Sequence, residues 1–263
     1  MDIELGCFTR PWGEYSLEEA LAGIAAAGYT RVGISPLTAG GRLLPSEVTD
    51  DDISRLKAQV ESHGLSAQVA FGNPDLSLPP KKAAARFRQE LEWARLLGIE
   101  YIVLTGEDDP TRYKAWFSAV ERSLSAARKL GITLLLKPHG GLSALAEDLL
   151  AALERLRHPN FGICYDPGNI YYYTGQRARE DLPKVVEHVR AICIKDEIGG
   201  KEGEVMITPG TGLVDFRRIF SILAGAGFSG PCWVECVGGR TLEEINEEAG
   251  KARGFVTRLT EGI

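Results

Sequence analysis

The chain has 263 residues, of which 44% are hydrophobic and 25% charged, a composition that fits one large globular domain or two small ones. Thirty basic and 36 acidic side chains give a net charge of −6 without a Lys/Arg block, which argues against a nucleic acid or an anionic membrane as partner and favours a small molecule. Five cysteines, an odd number without CxxC spacing, argue against a disulfide framework and a structural zinc site and favour a reducing cytoplasm.

The N-terminal residues MDIELGCFTRPWGE carry acidic side chains where a signal peptide has basic and then apolar residues. No apolar run along the chain approaches the roughly 18 residues of a membrane span. We therefore expect a soluble cytoplasmic protein. The sequence leaves the oligomeric state open, because nothing in it marks a surface as an interface.

Eight short apolar segments along the chain predict β-strands. They begin at Ile3, Arg31, Leu65, Ile99, Ile132, Phe161, Val189 and Pro231. Between them, apolar residues return every three or four positions, which predicts helices, and several of these segments end at a glycine. Eight strand–helix units in roughly 250 residues are typical of a TIM barrel. We therefore predict a single-domain (β/α)8 TIM barrel over residues 1–263.

An open, doubly wound parallel sheet is the competing fold. No GxGxxG motif follows the first strand, although that motif is typical of the dinucleotide-binding form of this fold. An open sheet also leaves unexplained why polar or charged residues end nearly every strand. The barrel explains them, because its active site forms where the carboxyl ends of the strands meet.

Polar side chains follow each of the last four predicted strands, in the segments LLLKPHGG, YDPGN, CIKDE and VECVGG. They are Lys137, His139, Asp166, Asn169, Cys193, Lys195, Asp196 and Glu235. Carboxylates that converge from separate strands repel each other unless a metal ion or a lysine neutralises them. The sequence offers both solutions.

The segments YDPGN, CIKDE, PGTGLVDF and WVEC together resemble the xylose-isomerase-like TIM barrels, a superfamily of sugar and sugar-phosphate isomerases and epimerases that also holds dehydratases and an endonuclease. In that family strand five ends in a Glu within E-P-H or E-N-H, strand six in D-x-G-N, strand seven in H-x-K-D and strand eight in a Glu. The resemblance implies a site of two Glu, one Asp and one His for Mn, Mg, Zn or Co.

The chain resembles a remote member of this family, because two of the four ligand positions differ. Asp166 and Glu235 match the family Asp and the last Glu, whereas Lys137 stands at the first Glu and Cys193 at the His. A protonated lysine cannot ligate a metal, and this exchange changes the position by two charge units. The family's four-ligand site is therefore not intact.

Two arrangements remain open. In one, His139, Asp166 and Glu235, with or without Cys193, hold Zn, Mn, Fe or Co, and Lys137 lies beside the ion as an electrostatic partner. In the other, Lys137 replaces the metal between Asp166 and Glu235, where it polarises a substrate carbonyl or forms a Schiff base. Purely structural roles stay open as well: Cys193 as a small buried residue, and Lys137 as a cation that only satisfies carboxylates.

Further residues complete the predicted site. Lys195 and Asp196 match the family's K-D, with Lys195 facing the catalytic centre and Asp196 contributing to substrate binding. Arg10 and Trp12 are candidates for binding sugar hydroxyls or a phosphate and for stacking on a sugar ring, and Asn169 is a third substrate-binding candidate. The glycines of residues 196–212 predict a mobile loop over the mouth of the barrel.

The function implied by the resemblance is isomerisation or epimerisation of a sugar or keto sugar, or a related dehydratase or lyase reaction, through an enediolate held by a divalent metal. Lys137, Lys195 and Glu235 are the predicted catalytic residues. The alternative is a metal-free barrel, either a sugar-binding protein or a lysine-dependent enzyme. An endonuclease fits poorly, because the chain has only four histidines and an acidic balance.

Overall fold

The computed structural model describes residues 2–36 and 48–261. Eight parallel strands form a closed barrel in which each strand pairs with the next and the last pairs with the first. They are β1 Ile3–Phe8, β2 Arg31–Ile34, β3 Ser66–Phe71, β4 Tyr101–Leu104, β5 Thr133–Leu136, β6 Phe161–Tyr165, β7 Val189–Ile194 and β8 Gly230–Val234. The predicted (β/α)8 TIM barrel is confirmed.

Helices surround the barrel, and their ends follow from local sequence. They are α1 Leu17–Ala26, α2 Asp50–Ser62, α3 Pro80–Leu97, α4 Tyr113–Leu130, α5 Ala146–Leu156, α6 Pro167–Thr174, α7 Ala178–Asp181, α8 Phe216–Gly225 and α9 Leu242–Thr260. Ser16 and Glu19 form a capping box that starts α1, because each side chain bonds the other's backbone N–H. Gly98 ends α3 in a left-handed conformation (φ 91°), which a residue with a Cβ adopts only with strain. No helix in the described ranges is long and apolar enough to cross a bilayer.

The interior of the barrel is closed by large side chains. The interior cluster consists of Phe8, Val69, Phe71, Val103, Leu135, Cys164, Ala191, Cys193 and Trp233. Phe8 stacks on Phe71 with ring centroids 4.5 Å apart, and the Trp233 indole N–H donates to the Gln68 amide oxygen at 3.0 Å. The barrel is therefore a packed core, and a ligand meets it at the mouth, where the carboxyl ends of the strands lie.

Gly33 of β2 gives a stability test of this interior. Its neighbour in the register is Phe8, and a Cβ added at Gly33 would overlap the Phe8 ring. We expect Gly33→Ala to lower the free energy of unfolding by about 1–3 kcal/mol, because overpacking moves Phe8 off its position against Phe71. Urea unfolding measures the change. Gly250→Ala in α9 is the control, because a Cβ there meets no atom within 4 Å and helix propensity favours alanine. Equal stability of the two variants would contradict this packing.

Candidate active site

Strand periodicity builds a ring of polar side chains at the mouth. Successive residues of a strand alternate between its two faces, so the residue two positions beyond an interior residue also points inward. Counting two positions from Phe8, Gly33, Phe71, Val103, Leu135, Cys164, Cys193 and Trp233 identifies one polar residue per strand. We call this set the mouth ring: Arg10, Ser35, Asn73, Thr105, Lys137, Asp166, Lys195 and Glu235. A cavity of about 340 Å³ lies over it and is lined by six ring members together with Pro36, Phe71 and His139.

Lys137 lies between two carboxylates. Its Nζ is 2.5 Å from Glu235 Oε2 and 3.0 Å from Asp166 Oδ2, and all three side chains are at most 1% exposed. The ammonium also lies over the Phe71 ring, 4.8 Å from its centroid. Burial alone would lower the pKa of Lys137, but the charges of Glu235 and Asp166 outweigh it and raise the pKa well above its usual value. Lys137 is therefore a fixed cation at neutral pH.

Glu235 is held by three cations. Besides Lys137, the Lys195 ammonium donates to its Oε1 at 3.0 Å, and the Arg10 guanidinium pairs with the same oxygen. Burial favours the protonated carboxyl, yet Lys137, Lys195 and Arg10 together hold the pKa of Glu235 well below its usual value. Arg10 keeps 40% of its side chain exposed and so lines the wall of the cavity. Glu235 is consequently a carboxylate at neutral pH.

Asp166 connects the ring to the loops above it. Its Oδ1 accepts the backbone N–H of Asn169 at 2.9 Å, which caps α6, while its Oδ2 faces Lys137. Burial raises the pKa of Asp166, and the charges of Lys137 and Lys195 oppose that rise. Asn169, a predicted substrate-binding residue, is 1% exposed and donates its amide to the Pro138 carbonyl at 2.6 Å. In this structure Asn169 ties the ends of β5 and β6 together.

His139 lies in the wall of the cavity as a neutral imidazole. The Tyr173 hydroxyl is 3.0 Å from its Nε2 and 3.1 Å from its Nδ1, and the two rings are 4.7 Å apart. Burial and the nearby charges of Lys137 and Lys195 lower the pKa of His139 to about 3. An imidazole beside these cations is therefore uncharged at neutral pH.

Cys193 lies one layer below the mouth ring, inside the barrel. Its Sγ is 3.6 Å from that of Cys164, and burial raises the pKa of the thiol well above its usual value. The possible ligand atoms of Asp166, Cys193 and Glu235 lie within 4.8 Å of one another. A candidate triad of metal ligands is thus present, without His139 among its members.

The charges around this triad do not fit a divalent ion. The Lys137 ammonium hydrogen-bonds Glu235 and forms an ion pair with Asp166, so it lies at the position from which a metal ion would have to coordinate both carboxylates. Three cationic side chains, Arg10, Lys137 and Lys195, face two carboxylates, so these five groups already carry one net positive charge. A further double positive charge would be repelled, and the protonated Cys193 thiol would not offset it.

Asp196 anchors the loop that follows β7. It is fully buried, and its carboxylate accepts four backbone N–H groups, those of Glu197, Gly210, Gly212 and Val214, at 2.8 to 3.0 Å. Asp196 was a predicted substrate-binding residue, but these bonds use its acceptor positions for the loop. These bonds fix both ends of the loop of residues 196–212 at the mouth of the barrel. The mobility of this loop remains a prediction.

Arg10 and Trp12 differ in their relation to the site. Arg10 reaches the mouth ring, whereas Trp12 is 1% exposed and donates its indole N–H to Asn246 Oδ1 at 2.8 Å. Trp12 lines a second cavity of about 260 Å³, which shares Arg10, Ser35 and Pro36 with the central one.

Sequence reasoning missed three members of the ring: Ser35, Asn73 and Thr105. Asn73 Nδ2 donates to Thr105 Oγ1 at 2.6 Å, and the Ser35 hydroxyl is buried without a hydrogen-bond partner among residues 2–36 and 48–261. They are uncharged and belong to no recognised motif, so the search for charged residues and motifs at strand ends did not identify them. Counting two residues from the last interior position of each early strand would have found them.

Comparisons with known proteins agree with the fold. A family model described as a xylose isomerase-like TIM barrel matches residues 21–258. L-ribulose-5-phosphate 3-epimerase UlaE of Escherichia coli (strain K12) is 28% identical over 179 residues, 64% of this chain and 61% of that protein. The match thus spans less than two thirds of the length of that curated relative.

Two solved structures superpose over nearly the whole chain. A xylose isomerase domain protein from Planctomyces limnophilus gives a TM-score of 0.77 at 21% identity, covering 100% of this chain and 99% of that one. D-psicose 3-epimerase from Clostridium cellulolyticum H10, solved with D-tagatose, gives 0.76 at 17% identity, covering 97% of this chain and 99% of that one. At these identities the likeness supports the fold alone.

The contacts of Lys137 predict a large effect on stability. Lys137→Met leaves Asp166 and Glu235 buried without the cation between them, and we expect it to cost about 3–5 kcal/mol of unfolding free energy. Adding Glu235→Gln removes one of the two charges, so the double variant should recover part of the loss. Urea unfolding of the two single variants and the double variant measures the coupling. Unchanged stability of Lys137→Met would contradict the arrangement.

The lowered pKa of His139 predicts how stability depends on pH. Between about pH 6.5 and 3, His139 is neutral in the folded state and charged in the unfolded state, so its contribution to stability falls as the pH falls. From pH 7 to pH 5 this residue should remove about 2 kcal/mol. His139→Gln should lose correspondingly less stability over that interval than the unmodified protein. Parallel pH profiles from urea unfolding would show that His139 titrates normally.

Proposed function

Because this chain belongs to the xylose isomerase-like TIM barrel family, we propose that it isomerises or epimerises a keto sugar by removing the proton next to the carbonyl group. The observation that carries the proposal is the placement of Glu235 among three cations at the floor of the central cavity. The names of the relatives suggest ketoses of five or six carbons, such as L-ribulose 5-phosphate or D-psicose, as the substrate class.

The cavity suits a polyhydroxylated carbonyl compound. Lys137 and Arg10 offer charged donors to a carbonyl oxygen, and Ser35, Asn73 and Thr105 present hydroxyl and amide groups to sugar hydroxyls. Phe71 supplies an apolar surface beneath them. A ketose thus finds cations at one side of the cavity and neutral hydrogen-bonding groups at the other.

Glu235 is the proposed base. It is ionised and lines the cavity, so it is available to take the proton from the carbon beside the carbonyl. When it does, the negative charge moves from the carboxylate to the enediolate oxygen. Lys137, Lys195 and Arg10 then lose part of their interaction with Glu235 and gain one with that oxygen. These cations are already in place, so the side chains need not move to stabilise the enediolate. This stabilisation offsets the low basicity of Glu235.

Isomerisation and epimerisation need different numbers of acid–base groups. Isomerisation needs one base that moves the proton along one face of the enediolate, and Glu235 is sufficient for it. Epimerisation needs a second group on the opposite face. His139 is the proposed second group: its neutral imidazole passes the proton of the Tyr173 hydroxyl to that face, and solvent then reprotonates Tyr173 while Glu235 releases the proton it took.

A metal-dependent version of the chemistry would use Asp166, Glu235 and His139, with Cys193 as a further donor and Zn, Mn, Fe or Co as the ion. The distances of the Lys137 ammonium to both carboxylates favour the lysine instead. The high pKa of Lys137 likewise favours a charged donor over a neutral amine that forms a Schiff base.

Exchange of substrate hydrogen with solvent tests the enolisation. We expect the protein to introduce deuterium from D₂O beside the carbonyl of D-fructose, D-psicose, D-tagatose or L-ribulose, as followed by proton NMR. Glu235→Gln should slow this exchange at least about 100-fold. Glu187→Gln changes an exposed carboxylate and serves as the matched control. His139→Gln should keep the exchange and lose formation of the epimer. Binding of these sugars without exchange would support a sugar-binding protein instead.

Removal of metal tests the role of Lys137. We expect the exchange rate to be unchanged after treatment with a chelator, because the cations of the site are side chains. Lys137→Glu should create a site for Zn or Mn that calorimetry detects, since it removes the ammonium and adds a carboxylate beside Asp166 and Glu235. Exchange that stops with chelation and returns with the ion would support the metal-dependent version.

A further inference from the structure

We propose that the substrate is longer than a monosaccharide and carries a neutral, hydroxyl-rich substituent, such as a second sugar unit, in a cavity next to the central one. This inference rests on the proposed function for the identity of the ketose half. The adjacent cavity has a volume of about 400 Å³ and lies between the loop of residues 73–77 after β3 and the loop of residues 106–112 after β4. We call it the outer cavity.

The two cavities share a wall. Asn73 lines both of them, and its side chain is held by Thr105 at 2.6 Å on one side and by the Trp116 indole N–H at 3.5 Å on the other. A ligand seated over the mouth ring can therefore extend past Asn73 without leaving the surface of the protein. The central cavity of about 340 Å³ is smaller than its neighbour, so the outer one has room for a substituent of at least monosaccharide size.

The outer cavity has the chemistry of a carbohydrate subsite. Trp116 is 1% exposed, and its indole N–H donates to Asn73 Oδ1 at 3.5 Å, so the indole supports the wall that the two cavities share. Arg112 and Glu107 face each other at 3.3 Å, and backbone N–H groups of residues 108 and 109 hold the Glu107 carboxylate. A fixed carboxylate, a guanidinium and the exposed Ser77 hydroxyl give both donors and acceptors, which is what sugar hydroxyls require.

The charges that line the outer cavity differ from those of the mouth ring, and they favour a neutral substituent over a phosphate. Among the described residues that line it, Arg112 is the one cation, and its guanidinium is already paired with Glu107 at 3.3 Å. The cations of the mouth ring lie at the other side of Asn73, where they suit the developing enediolate. A phosphate in the outer cavity would have to displace Glu107 from Arg112, so a neutral substituent is favoured.

Calorimetric binding of matched sugars tests the proposal without requiring turnover. The probes are D-fructose, its glucosyl derivatives turanose, maltulose, leucrose and isomaltulose, and fructose 6-phosphate. We expect at least one glucosyl-fructose to bind about tenfold more tightly than fructose, and fructose 6-phosphate to gain no such advantage. Equal affinities for fructose and all four disaccharides, or tightest binding of the phosphate, would overturn the proposal.

Two variants assign the preference to the outer cavity. Ser77→Tyr adds a bulky group at an exposed position of its lining, and Arg112→Ala removes a donor from its rim. Each should reduce the advantage of the disaccharide at least about fivefold and leave fructose binding unchanged. Ser62→Tyr, on the exposed end of α2, is the matched control. A preference that survives both variants would place the second sugar elsewhere and contradict the inference.

The inference and the proposed function fail in different ways. Disaccharide binding that depends on Ser77 and Arg112, without deuterium exchange into any probe, keeps the outer cavity as a subsite and removes the enolisation. Exchange into fructose, without any preference for a disaccharide, keeps the enolisation and removes the subsite.

Discussion

The contact of the Lys137 ammonium with Asp166 and Glu235 is the interaction on which the site depends. Two carboxylates buried at the mouth of a barrel repel each other, and a cation between them is required to keep both ionised. Here the cation is the side chain of Lys137, the residue directly after β5, so it is present whenever the chain is folded. The arrangement places a permanent positive charge where the family resemblance implies an exchangeable ion, and it holds Glu235 as an ionised carboxylate in the lining of the cavity.

The barrel determines the composition of the site through the alternation of its strands. Each strand contributes one polar residue two positions beyond an interior side chain, and the resulting ring divides into two parts. Strands β5 to β8 and β1 supply the charged members, whereas β2, β3 and β4 supply Ser35, Asn73 and Thr105. A substrate that spans the ring therefore meets cations on one side and neutral hydrogen-bonding groups on the other. The outer cavity lies next to the neutral part of the ring, between the loops that follow β3 and β4. The same two strands therefore position the proposed site for the second sugar unit.

The sequence predicted the barrel and the convergence of Lys137, Asp166 and Glu235, because both follow from strand periodicity and from polar residues at strand ends. It did not decide between a metal and a lysine, since that choice depends on how far the Lys137 side chain reaches across the barrel to β6 and β8. Nor did it indicate that Asp196 accepts four backbone N–H groups, because those partners come from a loop of irregular conformation. Non-local contacts of this kind have no periodic pattern in the sequence.

A crystal structure of the protein soaked in Zn²⁺, with data collected at the zinc absorption edge, tests the central claim most directly. The account predicts no anomalous density between Asp166 and Glu235 and a Lys137 ammonium in contact with both carboxylates. An anomalous peak between those carboxylates, with the Lys137 side chain displaced and His139 or Cys193 turned toward the ion, would contradict it.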